Sequence, residues 1–200
     1  MMIIWLNGTF GVGKTTLAFE LKRRLDQAIV YDPEHFGAVF MANIPRVMAE
    51  ADFQDYSLWR EANYKLLHHI SETYNGPIIV PMTLTNPSYF NEIIGKLRRD
   101  GRNVHHFALM ASPQTIAKRL RKRLEGSRSW SYRQMQGRLQ SLQDTQFGIH
   151  LLTDGKTVDD LVETIASRCE LSLLPDKRTI WRKKWDYISI QMKERLVWIK

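Results

Sequence analysis

Gly8-Thr9-Phe10-Gly11-Val12-Gly13-Lys14-Thr15 is the stretch on which the fold reading turns. It matches G-x-x-x-x-G-K-[ST], a spacing suited to holding a polyphosphate. Backbone N–H groups must converge on one anion, and side chains at Gly8, Gly11 and Gly13 would block that approach. The N-terminus of the helix that follows adds partial positive charge. In this arrangement Lys14 reaches the β- and γ-phosphates, and the Thr15 hydroxyl ligates Mg²⁺. Thr9, Phe10, Val12 and Thr16 complete the candidate cradle. A glycine turn before any helix would satisfy the motif taken alone. Its flanks argue for more: Met2-Ile3-Ile4-Trp5-Leu6 reads as a buried strand, and Leu17, Leu21 and Leu25 mark one helical face. ATP and Mg²⁺ are the expected ligands.

Outward from this unit, hydrophobic periodicity and chain breakers predict alternating strands and helices. Strands are expected over residues 28–31, 78–82, 104–110 and 147–153. Helices are expected over 34–42, 57–74, 87–99, 112–124, from about 132 to 146, and over 158–169. Pro175-Asp176 then breaks the chain ahead of a last helix. The alternation predicts an α/β domain at 1–175, with a five-stranded parallel sheet between helical layers, and an appended helix at 176–200.

Composition excludes several classes. No run approaches the roughly 20 apolar residues that span a bilayer, and the short apolar start lacks the positive region of a signal peptide. One cysteine, Cys169, permits no internal disulfide and fits a reducing cytoplasm. The formal charge of +8 is concentrated in the tail: residues 177–200 carry eight basic and two acidic side chains, and the other 176 residues carry 21 and 19. Any partner of the basic surface is therefore a partner of the tail. No RNA-binding motif appears, so nucleic acid is not expected.

Beyond the glycine-rich turn, the candidates are fewer and less specific. Asp32 and Glu34 follow the second strand, at the edge of a parallel sheet where ligands gather. A carboxylate there can take a proton from a hydroxyl or hold Mg²⁺ through water, although an Asp before proline is also a common loop residue. The third strand ends at Thr83, a candidate substrate contact at a position where an acid is often found. Arg119 and Arg123 share a helical face, and Arg128 follows in a glycine-containing loop. Such arginines stabilise a transferring phosphoryl group from a closing lid, and equally form solvated basic faces. Asp154 follows the fifth strand, where a base can rest or a helix be capped. Trp59 and Arg60 are candidates for the acceptor side, with a core position the alternative for Trp59. The pairs His68-His69 and His105-His106 have no metal-ligand spacing, and Cys169 lies on an apolar helical face.

The G-x-x-G-x-G-K-T spacing, the Asp after the second strand and the arginine-bearing loop resemble the small P-loop kinases, which act on shikimate, gluconate, chloramphenicol and nucleotides. The resemblance implies a P-loop three-layer sandwich with strand order 2-3-1-4-5. Longer strings are more specific. Met2-Ile3-Ile4-Trp5-Leu6-Asn7-Gly8, Tyr31-Asp32-Pro33-Glu34, Asp52-Phe53-Gln54 with Leu58-Trp59-Arg60, and Ile79-Val80-Pro81-Met82-Thr83 are similar to the bacterial tunicamycin-resistance family. So are Tyr89-Phe90-Asn91-Glu92-Ile93-Ile94-Gly95 and His105-His106-Phe107 through Ala111-Ser112. That family is described as ATP-binding and membrane-associated. Its antibiotic is a nucleoside-containing sugar bearing a fatty acyl chain. The resemblance implies an ATP-dependent action on tunicamycin, by phosphorylation or by capture. By analogy with the kinases it makes Asp32 a base.

In the tail, Trp181, Trp185, Ile188, Met192, Leu196 and Ile199 fall on one helical face, interrupted by basic residues that preclude spanning. Such a helix suits an anionic lipid surface, which would make the protein peripheral on the membrane. The alternative is a helix folded back to bury the same stripe.

Overall fold

A computed structural model describes residues 1–123, 125–126 and 129–197, except for the side chains of residues 184 and 191–197. Arg128 of the expected lid lies outside the described residues, as do Ile199 and the side chains of Met192 and Leu196 from the expected stripe.

Strand β1 (Ile3–Gly8) is buried along its whole length, as its unbroken apolar run requires. It pairs in parallel with β3 (Ile78–Pro81) on one side and β4 (Val104–Met110) on the other. Short β2 (Ile29–Val30) and β5 (Ile149–Leu152) form the edges, giving the order β2-β3-β1-β4-β5 that the resemblance to small P-loop kinases implies. The helices are α1 (Lys14–Arg24), α2 (Pro33–Asn43), α3 (Ser57–Thr73), α4 (Pro87–Phe90), α5 (Lys96–Arg99), α6 (Pro113–Lys122), α7 (Trp130–Ser141), α8 (Val158–Arg168) and α9 (Ile180–Val197). A π-helical turn, Asn91–Gly95, joins α4 to α5.

Alternation along β1 divides the core. Ile4 and Leu6 pack with Leu17 and Leu21 of α1 and with Ile165 of α8. Ile3 and Trp5 pack on the other face with Trp59 and Leu67 of α3 and Leu97 of α5. The layers thus form an α/β sandwich, and β1 directs its C-terminal end at the site.

The fifth strand departs from its expected bounds. Phe147 ends a 3₁₀ turn and packs edge-on against Phe90 at 5.5 Å, and Gly148 takes φ +78° before β5 begins at Ile149. The preceding helix accordingly stops at Ser141, short of the expected 146.

The last helix resolves its two expectations in a third way. Arg178 pairs with Asp176 (2.7 Å), Asp186 (2.8 Å) and Glu20, a fully buried carboxylate on α1. Lys183 bridges Asp159 of α8 (2.7 Å) and Asp176 (2.9 Å). The charged face therefore joins the helix to the domain, and Ile190 is buried with it. The stripe that the folded-back alternative would bury faces outward: Trp181, Trp185 and Ile188 are 74%, 69% and 51% exposed.

Candidate functional site

The turn after β1 is fastened from below by a polar residue. Asn7 is fully buried; its Oδ1 accepts from the N–H of Gly8 (2.8 Å) and of Leu84 (2.9 Å), and its Nδ2 donates to the Leu84 carbonyl (2.7 Å). Burial pushes His106 down to about 3, so its ring is neutral and its Nε2 accepts from Asn7 at 3.2 Å. Thr83 Oγ1 donates to the Gly8 carbonyl (2.7 Å). Arg119 reaches from α6 to donate to the Val12 carbonyl (2.8 Å), and to Thr153 Oγ1 (3.1 Å) and the Thr153 carbonyl (3.2 Å). The loop is thereby held from β3, β4 and β5 together, so its N–H groups need little ordering to meet an anion.

Two glycines have distinct reasons. A Cβ at Gly8 would sit 2.7 Å from Val12 Cγ1, on a backbone at φ +149°. At Gly13 there is room for a Cβ, but φ is +111°, so conformation rather than space demands glycine. Gly13 is also the N-cap of α1, whose first turn holds no acidic side chain to compete for an anion.

Two cavities flank this loop. One, of about 460 Å³, is lined by Lys14, Thr15, Glu34, Asp52, Trp130 and Arg138, with Phe10, Phe53 and Met41 among its apolar walls. The other, of about 480 Å³, is lined by Thr16, Arg119, Lys122, Lys156, Leu161 and Tyr187. Gly11, Gly13 and Arg123 border both.

In the first cavity Lys14 and Glu34 perturb one another. Burial pushes Lys14 down to about 8, against the opposing pull of Glu34; burial pushes Glu34 up to about 7, against the pull of Lys14. Lys14 Nζ donates to the Gly8 carbonyl at 2.9 Å. Arg138 pairs with Asp52 (3.2 Å) and lies over the rings of Phe10 (4.8 Å) and Trp130 (5.1 Å), which meet edge-on at 5.1 Å. These aromatics and the cation form the cavity's roof.

The expected residues are distributed unevenly around this geometry. Asp32 N-caps α2, its Oδ1 accepting from the N–H of Glu34 (2.9 Å), and it is Glu34 that lines the cavity. Arg123 borders both cavities, whereas Arg119 lines the second and clamps backbone. Four residues expected to contact a ligand are engaged within the protein. Trp59 is fully buried and donates to the Pro33 carbonyl (3.3 Å). Arg60 is buried against Glu92 (2.6 Å), the Gln54 carbonyl (2.5 Å) and the Tyr89 ring (4.1 Å), bracing the 52–55 turn from behind. Asp154 is occupied in holding Ser112, the N-cap of α6: it accepts from Ser112 N (2.8 Å), Ser112 Oγ (2.8 Å) and Thr115 Oγ1 (2.5 Å), and these hydroxyls hold its carboxyl below the usual range. Lys156, two residues later, is the one that lines the second cavity. Thr83 likewise spends its hydroxyl on the loop backbone. Asp52, Arg138, Trp130 and Asn7 escaped sequence reasoning as site residues. Only for Asp52 was there a signal, a second acid three residues later at Asp55 that forms a capping box with it.

A strand-turn-helix cradle on the central strand of an order 2-3-1-4-5 sheet defines a P-loop nucleotide-binding protein of kinase-like architecture. The chain belongs to the AAA domain family, whose profile matches residues 3–143. Among solved structures it is similar to the Deinococcus radiodurans tunicamycin resistance protein, with 29% identity, a TM-score of 0.74, and 88% of this chain and 100% of that one covered. A sugar kinase from Janibacter sp. HTCC2649 has 17% identity and a TM-score of 0.60, covering 85% and 94% of the two chains. Shikimate kinase from Bacteroides thetaiotaomicron has 22% identity and a TM-score of 0.56, covering 85% and 99%. These last two share the fold. No curated protein matches in sequence.

Proposed function

We propose that the chain is an ATP-dependent phosphotransferase that confers resistance to tunicamycin or a related nucleoside-sugar amphiphile by phosphorylating one of its hydroxyls. The observation that carries this reading is the cavity beside Lys14, in which a carboxylate poised to accept a proton stands among apolar walls. The likeness to the Deinococcus radiodurans tunicamycin resistance protein supports the choice of substrate.

The donor set fits a magnesium nucleotide: loop N–H groups, a lysine, and the Thr15 hydroxyl with the Asp32 carboxylate on the metal side. Mg²⁺, when bound, would offset charge on the β- and γ-oxygens. In the proposed reaction the acceptor hydroxyl bonds to the γ-phosphorus of ATP as the bond to the β–γ bridging oxygen breaks. ADP leaves, and the hydroxyl proton passes to Glu34. Lys14 and Arg123 stabilise the transferring phosphoryl group, and Phe10, Phe53 and Trp130 exclude water. Asp32 holds α2, and therefore Glu34, in place.

Mass spectrometry of tunicamycin incubated with the protein, Mg²⁺ and ATP tests this. A gain of one phosphoryl group, lost in Lys14→Ala, is expected. Unmodified drug that co-purifies with the protein would replace phosphotransfer with ATP-dependent capture. For the tail we propose that the exposed Trp181, Trp185 and Ile188 rest on an anionic membrane surface, where an acylated substrate collects. Co-sedimentation with anionic vesicles should fall in Trp185→Ser/Ile188→Ser, and binding equal to that of the unaltered chain would refute it.

A further inference from the structure

The second cavity contains a residue that no strand-turn-helix motif would supply. Its floor is the glycine-rich loop and the start of α1, through Val12, Gly13 and Thr16, and its polar edge is Arg119 and Lys156. Its apolar walls come from Leu109 at the end of β4 and from Val158 and Leu161 of α8, and Tyr187 of α9 completes it. Tyr187 is half-buried, on the face of α9 that turns toward the domain, one residue from Asp186 and four from Lys183, which tie that face down.

The direction of a bound nucleotide follows from the other cavity. A transferable phosphate must lie where Lys14, Thr15 and Glu34 converge, so the nucleoside leaves the loop on the opposite side, past Thr16. At about 480 Å³, with apolar walls and a few polar groups at the edge, that space is of the size and character that a nucleoside fills. An aromatic ring has a face to offer any base, and stacking needs no hydrogen-bond pattern.

We propose that Tyr187 contacts the nucleobase, so that the appended C-terminal helix is part of the nucleotide site. The tail then has two functional faces. Its charged and tyrosine-bearing side completes the nucleotide pocket, and its tryptophan side stays outward. This inference rests on nucleotide binding by the loop and not on phosphate transfer, so it stands or falls independently of whether tunicamycin is modified.

Calorimetric titration of the full chain with Mg·ATP and with Mg·tripolyphosphate, which has no base, separates a base contact from general support of the loop. Tyr187→Ala should weaken Mg·ATP about tenfold and leave tripolyphosphate unchanged, and Tyr187→Phe should bind both like the unaltered chain. Equal losses for both ligands, or no loss for either, would overturn the proposal. Photolabelling of the unaltered chain with 2-azido-ATP gives a second reading that does not depend on a variant folding. Label in the peptide carrying Tyr187, displaced by ATP and not by tripolyphosphate, is expected; displaceable label confined to other peptides would overturn it.

Discussion

The two cavities share one loop and are made of opposite materials. On the Thr16 side the charged lining residues are cationic: Arg119, Lys122, Arg123 and Lys156. On the Lys14 side, Glu34, Asp52 and Glu125 stand against Lys14, Arg123 and Arg138, among aromatic walls. A cationic field attracts a polyanion from a distance and is indifferent to fine placement. A carboxylate whose burial lifts it to about 7 serves a different need, because it is ready to gain a proton near neutral pH. Under the proposed function, the difference assigns attraction and proton transfer to separate sides of the loop, with Lys14 between them.

The strongest way to break this comparison is to remove the residue common to both functions. Lys14→Ala should lower phosphotransfer by roughly 100- to 1,000-fold and weaken Mg·ATP as well, measured by drug phosphorylation and calorimetry. Activity within a few-fold of the unaltered chain would mean that the loop does not hold the transferring phosphate.

Glu34→Gln should affect one side alone. Turnover is expected to fall about 100-fold while Mg·ATP affinity changes little. The pH profile sharpens the point. Glu34 is raised to about 7, so its basic form is gained as pH rises through that value; Lys14 is lowered to about 8, so its charge is lost above that value. kcat/KM should therefore peak between about 7 and 8. The acid limb should disappear in Glu34→Gln. Stability runs the other way. A folded value above the unfolded 4.5 means that this group's contribution is full at low pH and is lost as pH rises through about 7. The variant should thus melt higher at pH 8, by about 1 kcal/mol of stability.

Arg138→Ala should separate the cavity's roof from its chemistry. Loss of the Asp52 pair and of two ring contacts is expected to destabilise by about 1–2 kcal/mol in chemical denaturation. KM for the acceptor should rise more than kcat falls. The smallest effect is reserved for Asp32. Asn preserves an N-cap and Ala does not, so Asp32→Ala should cost about 1 kcal/mol and Asp32→Asn almost none. A large loss of turnover in a stable Asp32→Asn with an unchanged Mg²⁺ requirement would transfer the proton-accepting role from Glu34 to Asp32, whereas a raised Mg²⁺ requirement would report the place of Asp32 on the metal side.

These two sides also differ in how far the sequence displayed them. The phosphate cradle is contiguous: a buried strand, three spaced glycines, a lysine and a leucine-periodic helix follow in order, and each has a local reason that a sequence preserves. The sheet order was legible for the same cause, through the resemblance that cradle carried. The acceptor side is assembled from α2, the 52–55 turn and α7, and nothing local marks Arg138 out from Arg133, the other basic residue of its helix. Trp59-Arg60 misled because a tryptophan beside an arginine looks alike whether it meets a ligand or, as here, the core and Glu92. Asp154 misled because a carboxylate at a sheet edge can serve a ligand or a helix N-terminus, and Ser112 and Thr115 are visible as its partners only once β4 and β5 are paired.

The buried carboxylate of Glu20 belongs to the first helix after the cradle, and among the described residues it pairs with Arg23 and with Arg178, which is about 160 residues downstream. During synthesis, therefore, the glycine-rich loop is made long before Arg178, and until then an acid bound for the interior is incompletely neutralised. Releasing the chain early, or cutting it near Pro175, would leave Glu20 in that state. A shortened chain that precipitates would thus report on this missing arginine before it reported anything about lipid. The tail is better interrogated by changing single side chains on its outward face than by deleting it.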